Sequence, residues 1–403
     1  MLTHNALKAL IQEHLNELAV AIGARPTGSK NNRIAQAYIA RVLAEAGLEV
    51  EEQSFDCLDW QDHGVALELD GRPVEARPNP LTPACDVVAP MISLANVREL
   101  EASILSGKVA VLHADLTREP LMPKSFAFWN PEEHQTIIRL LEEKQPLAII
   151  AVSHQEESPA PIFEDGDFRL PSVTLKAGDG RFFLEKSAGE VRLRIESEVR
   201  PSQGANVIGR RQGANGRKAL VCAHFDTKYG TAGAVDNAAG VATLLALAQA
   251  LEGQPLELDL ELVAFNGEDY YSMPGQMKYL ENYGDEFPRI AMAINIDGVG
   301  LRDKRTTVAF FECGEPLVQE VQGILLRHPN VVQTEPWHQG DHMLFSMQGI
   351  PSLALTSEGI ETLLDSVIHT GNDRINLLSP GNIAEAVWFI EELLKAALAK
   401  KIL

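Results

Sequence analysis

Three apolar runs of this 403-residue sequence end in acidic or imidazole side chains. Residues 218–223 lead into His224-Phe225-Asp226, residues 258–265 into Asn266-Gly267-Glu268-Asp269, and residues 290–296 into Asp297-Gly298. Asp236-Asn237 opens a further apolar stretch, and His369-Thr370-Gly371-Asn372-Asp373 follows the run 352–355. Taken singly, each has an ordinary explanation: a core histidine, a helix cap at Asp236, a solvated acid pair at Glu268-Asp269. If the runs are neighbouring strands, however, Asp226, Asp236, Glu268, Asp269 and Asp297 crowd together with two imidazoles. That crowding is strongly repulsive unless cations neutralise it. A mixed nitrogen and oxygen donor set suits zinc or a neighbouring first-row metal better than magnesium or calcium.

The elements that would gather these groups follow from periodicity. The strands 218–223, 258–265 and 290–296 alternate with helices at about 238–251 and 273–283, which predicts right-handed crossovers and a mostly parallel α/β sheet covered by helices on both faces. Ligands in such sheets bind beyond the carboxyl ends of the strands, where the polar motifs stand. Val241, Leu244, Leu245, Ala248 and Leu251 share one helical face, which brings Asp236 to the end of the first strand. Near the start, Leu7, Leu10, Ile11, Leu15 and Leu18 recur at helical spacing, and Arg25-Pro26-Thr27-Gly28-Ser29 breaks the pattern. A helix over 34–46 ends at Gly47, and 48–55 alternates like a strand.

Between them the texture changes to short β runs such as 65–69 and 73–76 around Asp70-Gly71, with buried strands at 108–112 and 147–152 and a helix over 132–143. The expected organisation is one discontinuous α/β domain, residues 1–57 and 199–403, interrupted by a β-rich domain over 58–198. That insertion contains none of the candidate residues, and its expected role is a lid that governs access.

Composition narrows the partners. Lys+Arg 35 against Asp+Glu 56 leaves a net charge of −21, which repels nucleic acid and anionic lipid. The opening residues mix His, Asn, Lys, Gln and Glu with apolar side chains, unlike a secretory leader, and no run of 18 apolar residues could span a membrane. The expectation is a cytoplasmic protein with no membrane partner. Cys57, Cys85, Cys222 and Cys313 have no paired spacing and read as reduced thiols.

His224-x-Asp226, Asp236-Asn237-Ala238-Ala239-Gly240-Val241, Gly267-Glu268-Asp269, Asn295-Ile296-Asp297 and His369-Thr370, in this order, resemble the co-catalytic dizinc exopeptidases: bacterial leucyl aminopeptidases, glutamate carboxypeptidase II, glutaminyl cyclase and the transferrin receptor. Arg25 to Ser29 resembles the family's N-terminal part, and the insertion resembles a protease-associated domain. The resemblance implies a zinc exopeptidase fold and two zinc ions, with cobalt or manganese as alternatives. It further implies that Asp236 bridges them, with His224 and Asp297 completing one site, Asp269 and His369 the other, and a water or hydroxide held between. Glu268 would be the general base, and Asp226 would hold the His224 tautomer.

Two departures stand out. Asp269 occupies a position where many members carry Glu, and Ile368 one where some carry an oxyanion-assisting Tyr. His342, in the segment Gly340 to Phe345, is the candidate for the missing oxyanion donor. The implied function is an aminopeptidase acting on short peptides, with homo-oligomerisation left open. Its competitors are a silent binding protein on the same fold, disfavoured by ligand-capable residues at all five positions, and a glutaminyl-cyclase-like or other amide-processing enzyme, separable by metal stoichiometry.

Overall fold

The computed structural model describes residues 3–126, 129–156, 159–186, 188–364 and 366–399. The chain resolves into two compact units, Met1–Cys57 with Gln203–Leu403, and Leu58–Ser202.

In the first unit the strand order is Val331–Gln333, Thr306–Phe311, Ser352–Ser357, Ile290–Ile296, Lys218–His224, Asp259–Phe265 and the 203–211 part of Glu190–Arg211. Lys218–His224 pairs in parallel with Asp259–Phe265 and with Ile290–Ile296, which pairs in parallel with Ser352–Ser357. Antiparallel pairing enters only towards the flanks, at residues 207–211 and at Thr306–Phe311. Every residue of Lys218–His224 and Ile290–Ile296 is buried, as expected for strands covered on both faces. Register sets His224 opposite Phe265 and Ile296 opposite Leu355, so four consecutive strands finish at one edge.

Helix Ala239–Ala250 is apolar on all sides and almost wholly buried. It packs between the sheet and helices His4–Leu15 and Pro380–Ala399, in a core that includes Leu7, Ile11, Leu15, Leu244, Leu245, Ile383, Val387 and Ile390. The N-terminal helices are thus part of this unit. Ser29 accepts from the Asn32 amide and starts helix Lys30–Glu45 directly after the Arg25–Ser29 turn.

The second unit contains parallel pairings among Cys85–Leu94, Val109–Leu112, Ala148–Val152 and Ser172–Leu175, with helices Val97–Ala102, Glu132–Lys144 and Ala177–Leu184. Leu67 to Leu69 pairs with Arg72 to Val74 as a hairpin about Asp70-Gly71. The strand read over 48–55 does not stop there: it runs as Glu49–Leu69 and pairs with the similarly long Glu190–Arg211. Gln61, Asp62 and His63 on it are polar and, like Gly64, exposed, so backbone pairing rather than apolar alternation carries the strand through them. The four cysteines form no disulfide, and among the described residues no helix is long and apolar enough to cross a membrane.

At the end of the sheet away from His224, a buried charge network ties the strands together. Glu261 is 1% exposed and accepts from Lys218 Nζ at 3.0 Å, Arg210 Nε at 2.6 Å and the Tyr279 hydroxyl. Removing one member strands the others in a medium that solvates them poorly. Glu261→Ala is expected to destabilise the protein by about 3–5 kcal/mol in urea denaturation followed by circular dichroism, because it leaves the buried Lys218 with the part-exposed Glu286 at 3.3 Å in place of the buried Glu261.

Candidate metal centre

Three parallel strands deliver four of the side chains directly. His224 closes the strand Lys218–His224, Glu268 and Asp269 follow Phe265, and Asp297 follows Ile296. Asp236 comes from the turn 234–238 that leads into helix Ala239–Ala250, where the Asp236–Asn237 peptide is cis. That turn is packed closely. A Cβ on Gly240 would stand 2.3 Å from Asn237 Oδ1 and 2.4 Å from the Ile296 carbonyl oxygen, so only glycine admits this approach of helix to sheet. His369 stands in the loop after Ser352–Ser357 with φ of 63°, and its side chain is 45% exposed, whereas that of His224 is 1% exposed.

These groups form two sets of three. His224, Asp236 and Asp297 offer donor atoms all within 4.8 Å of one another, and so do Asp236, Asp269 and His369. Asp236 belongs to both, one oxygen to each: Oδ1 is 3.0 Å from His224 Nε2 and Oδ2 is 2.9 Å from His369 Nε2. Asp297 Oδ1 lies 3.7 Å from His224 Nε2, and Asp269 Oδ1 lies 3.1 Å from His369 Nε2. Both ring nitrogens of His224 and Oδ2 of Asp269 are buried without a hydrogen bond. Unpartnered donors of this kind, converging as imidazole and carboxylate, fit a bound first-row cation.

Glu268 belongs to neither set. Its Oε2 is 3.9 Å from His224 Nε2, and its side chain keeps 21% exposure. Burial, reinforced by Asp269, Asp297 and Asp341, raises its protonation well above the ordinary glutamate range. The imidazoles are raised as well, by their carboxylate neighbours. Burial works against the charged ring of His224, but Asp226, Asp236 and Asp297 outweigh it and raise the pKa. For Asp236, the two imidazoles overcome burial and lower it. The cluster therefore carries more negative charge than its own cations answer, which is the condition a metal would relieve.

Asp226 is fully buried and works on several neighbours at once. Its Oδ1 lies 3.5 Å from His224 Nδ1 and accepts the Glu268 amide at 3.2 Å, while Oδ2 accepts the Asp269 amide at 3.1 Å. The Thr27 hydroxyl lies 3.1 Å from both Asp226 Oδ2 and Asn266 Oδ1. One carboxylate thus anchors the peptide carrying Glu268 and Asp269 and faces Nδ1 of the histidine ring.

His342 is brought into neither set. It is buried, its Nε2 meets the Trp337 carbonyl oxygen at 3.0 Å, and its ring packs on Phe311 with centroids 4.4 Å apart. Burial depresses its pKa to about 4, so the ring is neutral. Beside it Asp341 accepts from Gln276 Nε2 at 2.7 Å, and burial lifts its pKa to about 7. Sequence reasoning assigned no role to Thr27, Asp341 or Asp373. Asp373 accepts the amides of Val235 and Asp236 at 2.7 and 3.0 Å. Its position after His369 was the only available signal.

Residues 206–394 match Peptidase family M28. The "Probable lipoprotein aminopeptidase LpqL" of Mycobacterium tuberculosis (strain ATCC 25618 / H37Rv) is 21% identical over 365 residues, 83% of this chain and 70% of that protein. "Aminopeptidase YwaD" of Bacillus subtilis (strain 168) is 23% identical over 298 residues, 71% of this chain and 60% of that protein. The solved structure of BSAP, a zinc aminopeptidase from Bacillus subtilis, superposes with a TM-score of 0.76 at 20% identity, covering 98% of this chain and 96% of that one. At that identity the likeness shows a shared fold.

The hydrogen bonding of Asp226 makes Thr27→Val informative. The change preserves shape but leaves two buried acceptors short of a donor, and it is expected to lower stability by about 1–3 kcal/mol in urea denaturation, with Thr27→Ser restoring most of the loss.

Proposed function

We propose, on the premise that residues 206–394 are a peptidase family M28 domain, that the chain is a zinc-dependent aminopeptidase that removes N-terminal residues from short peptides. The observation that carries the reading is the pair of three-donor sets sharing Asp236, with Glu268 close by and outside both. His224, Asp236 and Asp297 would hold one cation, and Asp236, Asp269 and His369 a second. Bound divalent cations supply Lewis-acid polarisation of a carbonyl and make water a nucleophile near neutral pH.

The remaining work falls to side chains. Glu268 takes a proton from the attacking water on its carboxylate and returns it to the departing amine, a role suited to a partly exposed carboxyl with an upward-shifted pKa. Asp226 keeps the His224 ring turned so that Nε2 faces Asp236, and it anchors the amides of Glu268 and Asp269. None of these groups comes from Leu58–Ser202.

Two outcomes test this. Elemental analysis after zinc reconstitution is expected to find close to two ions per chain; a folded protein that takes up none would remove the basis of the reading. Glu268→Gln is expected to keep its metal and fold while losing about 10²–10⁴ in kcat against aminoacyl amides and dipeptides. In the same panel, acyl-capped peptides are expected to resist cleavage. Cyclisation of N-terminal glutamine without hydrolysis would instead assign the cyclase-like chemistry.

A further inference from the structure

We propose that Arg25 and Asp373 are positioning residues that grip the 232–236 segment, one through its carbonyls and the other through its amides, and so set where Asp236 presents its two oxygens. The inference rests on the metal-centre reading above.

Arg25 is fully buried, and its guanidinium is aimed at main-chain carbonyls. It donates to Phe225 O at 2.5 Å, Ala232 O at 2.7 Å, Gly233 O at 3.0 Å, Gly23 O at 3.2 Å and Leu18 O at 3.4 Å. Its own amide donates to Thr227 Oγ1 at 3.0 Å. These contacts hold both ends of the loop that leaves the strand end at Phe225 and returns at Gly233. Only a planar fork with five donors reaches that many carbonyls; a lysine ammonium has three and no fork.

Asp373, also fully buried, answers from the amide side. Its two oxygens accept from Val235 N and Asp236 N. The peptide units between the two grips have no slack. Gly233 has φ of 53°, and a Cβ there would stand 2.3 Å from the Asp236 carbonyl oxygen and 2.4 Å from Thr227 Cγ2. The buried guanidinium and carboxylate lie on one short segment, so each charge is answered partly through the dipoles of the peptides it holds.

Why this bears on function follows from Asp236 itself. Its two oxygens serve different imidazoles, at 3.0 and 2.9 Å, so a tilt of the carboxylate that favours one set costs the other. Ligand constellations tolerate errors of about 0.5 Å, and a five-residue turn does not hold that tolerance without support.

The test compares Arg25→Lys, Asp373→Asn and a control, His14→Gln, in the full-length protein. His14 is a buried histidine bonded to Tyr38 and Gln249, remote from both sets. Zinc affinity is measured by chelator competition, hydrogen exchange of the 232–238 backbone is measured in the metal-free protein, and melting temperature is recorded for each. Arg25→Lys and Asp373→Asn are expected to weaken zinc binding by about 10–100-fold, the range for residues that orient metal ligands. Both are expected to accelerate 232–238 exchange, while His14→Gln lowers the melting temperature and leaves both readouts within about twofold. Wild-type exchange and zinc affinity in both site variants, or an equal loss of zinc affinity in His14→Gln, would overturn the proposal. If Arg25→Lys does not fold, Asp373→Asn decides by the same readouts. A wild-type chain that takes up no zinc overturns the metallopeptidase reading instead, and unchanged 232–238 exchange in the variants overturns the clamp whether or not zinc binds.

Discussion

Carboxylates forced together at one buried sheet edge are the constraint around which the first unit is organised. Asp226, Asp236, Glu268, Asp269, Asp297, Asp341 and Asp373 all stand at or near the carboxyl ends of the same parallel strands. A group of this sign in a poorly solvating interior is unfavourable unless protons, backbone amides or cations answer it. All three answers are visible. Burial lifts Asp341 to about 7 and Asp373 to about 6, the amides of residues 235, 236, 268 and 269 point at carboxylates, and two imidazoles face Asp236. The donors left over are the ones a metal would take.

The supports divide by the rigidity of the element that carries each group. His224, Glu268-Asp269 and Asp297 sit where strands end, so their backbones are placed by the ladders. Asp236 and His369 come from irregular segments and need separate anchoring. For Asp236 the anchors are Arg25 and Asp373. His369 is held at a positive φ with nearly half of its side chain exposed, so the second set is the more open of the two.

How much of this could be read beforehand depends on what each residue's neighbours are. His224, Glu268, Asp269 and Asp297 were legible because each directly follows a long apolar run, and a buried parallel strand announces its own carboxyl end. Asp236 was legible through the helix behind it. Arg25 was not: its partners Phe225, Ala232 and Gly233 are about two hundred residues away and contribute only carbonyl oxygens, which every residue possesses. Side-chain chemistry leaves a trace in the sequence, but main-chain acceptors leave none. The long strand Glu49–Leu69 was misjudged for a similar reason, since backbone pairing with Glu190–Arg211 carries it past polar residues.

The discontinuity of the first unit has a consequence for biosynthesis. Arg25 and Phe225 are separated by 200 positions. At bacterial or eukaryotic elongation rates, roughly 10–40 s pass between their emergence from the ribosome. Throughout that interval Leu7, Ile11 and Leu15 have no sheet or partner helix to cover them, and the guanidinium has no carbonyls to meet. Residues 58–202 are contiguous and carry their own apolar clusters, so the later-encoded unit has all its partners first. The nascent N-terminus must therefore wait, exposed, while the insertion condenses ahead of it, and the segment that places Asp236 is among the last parts of the protein to be completed.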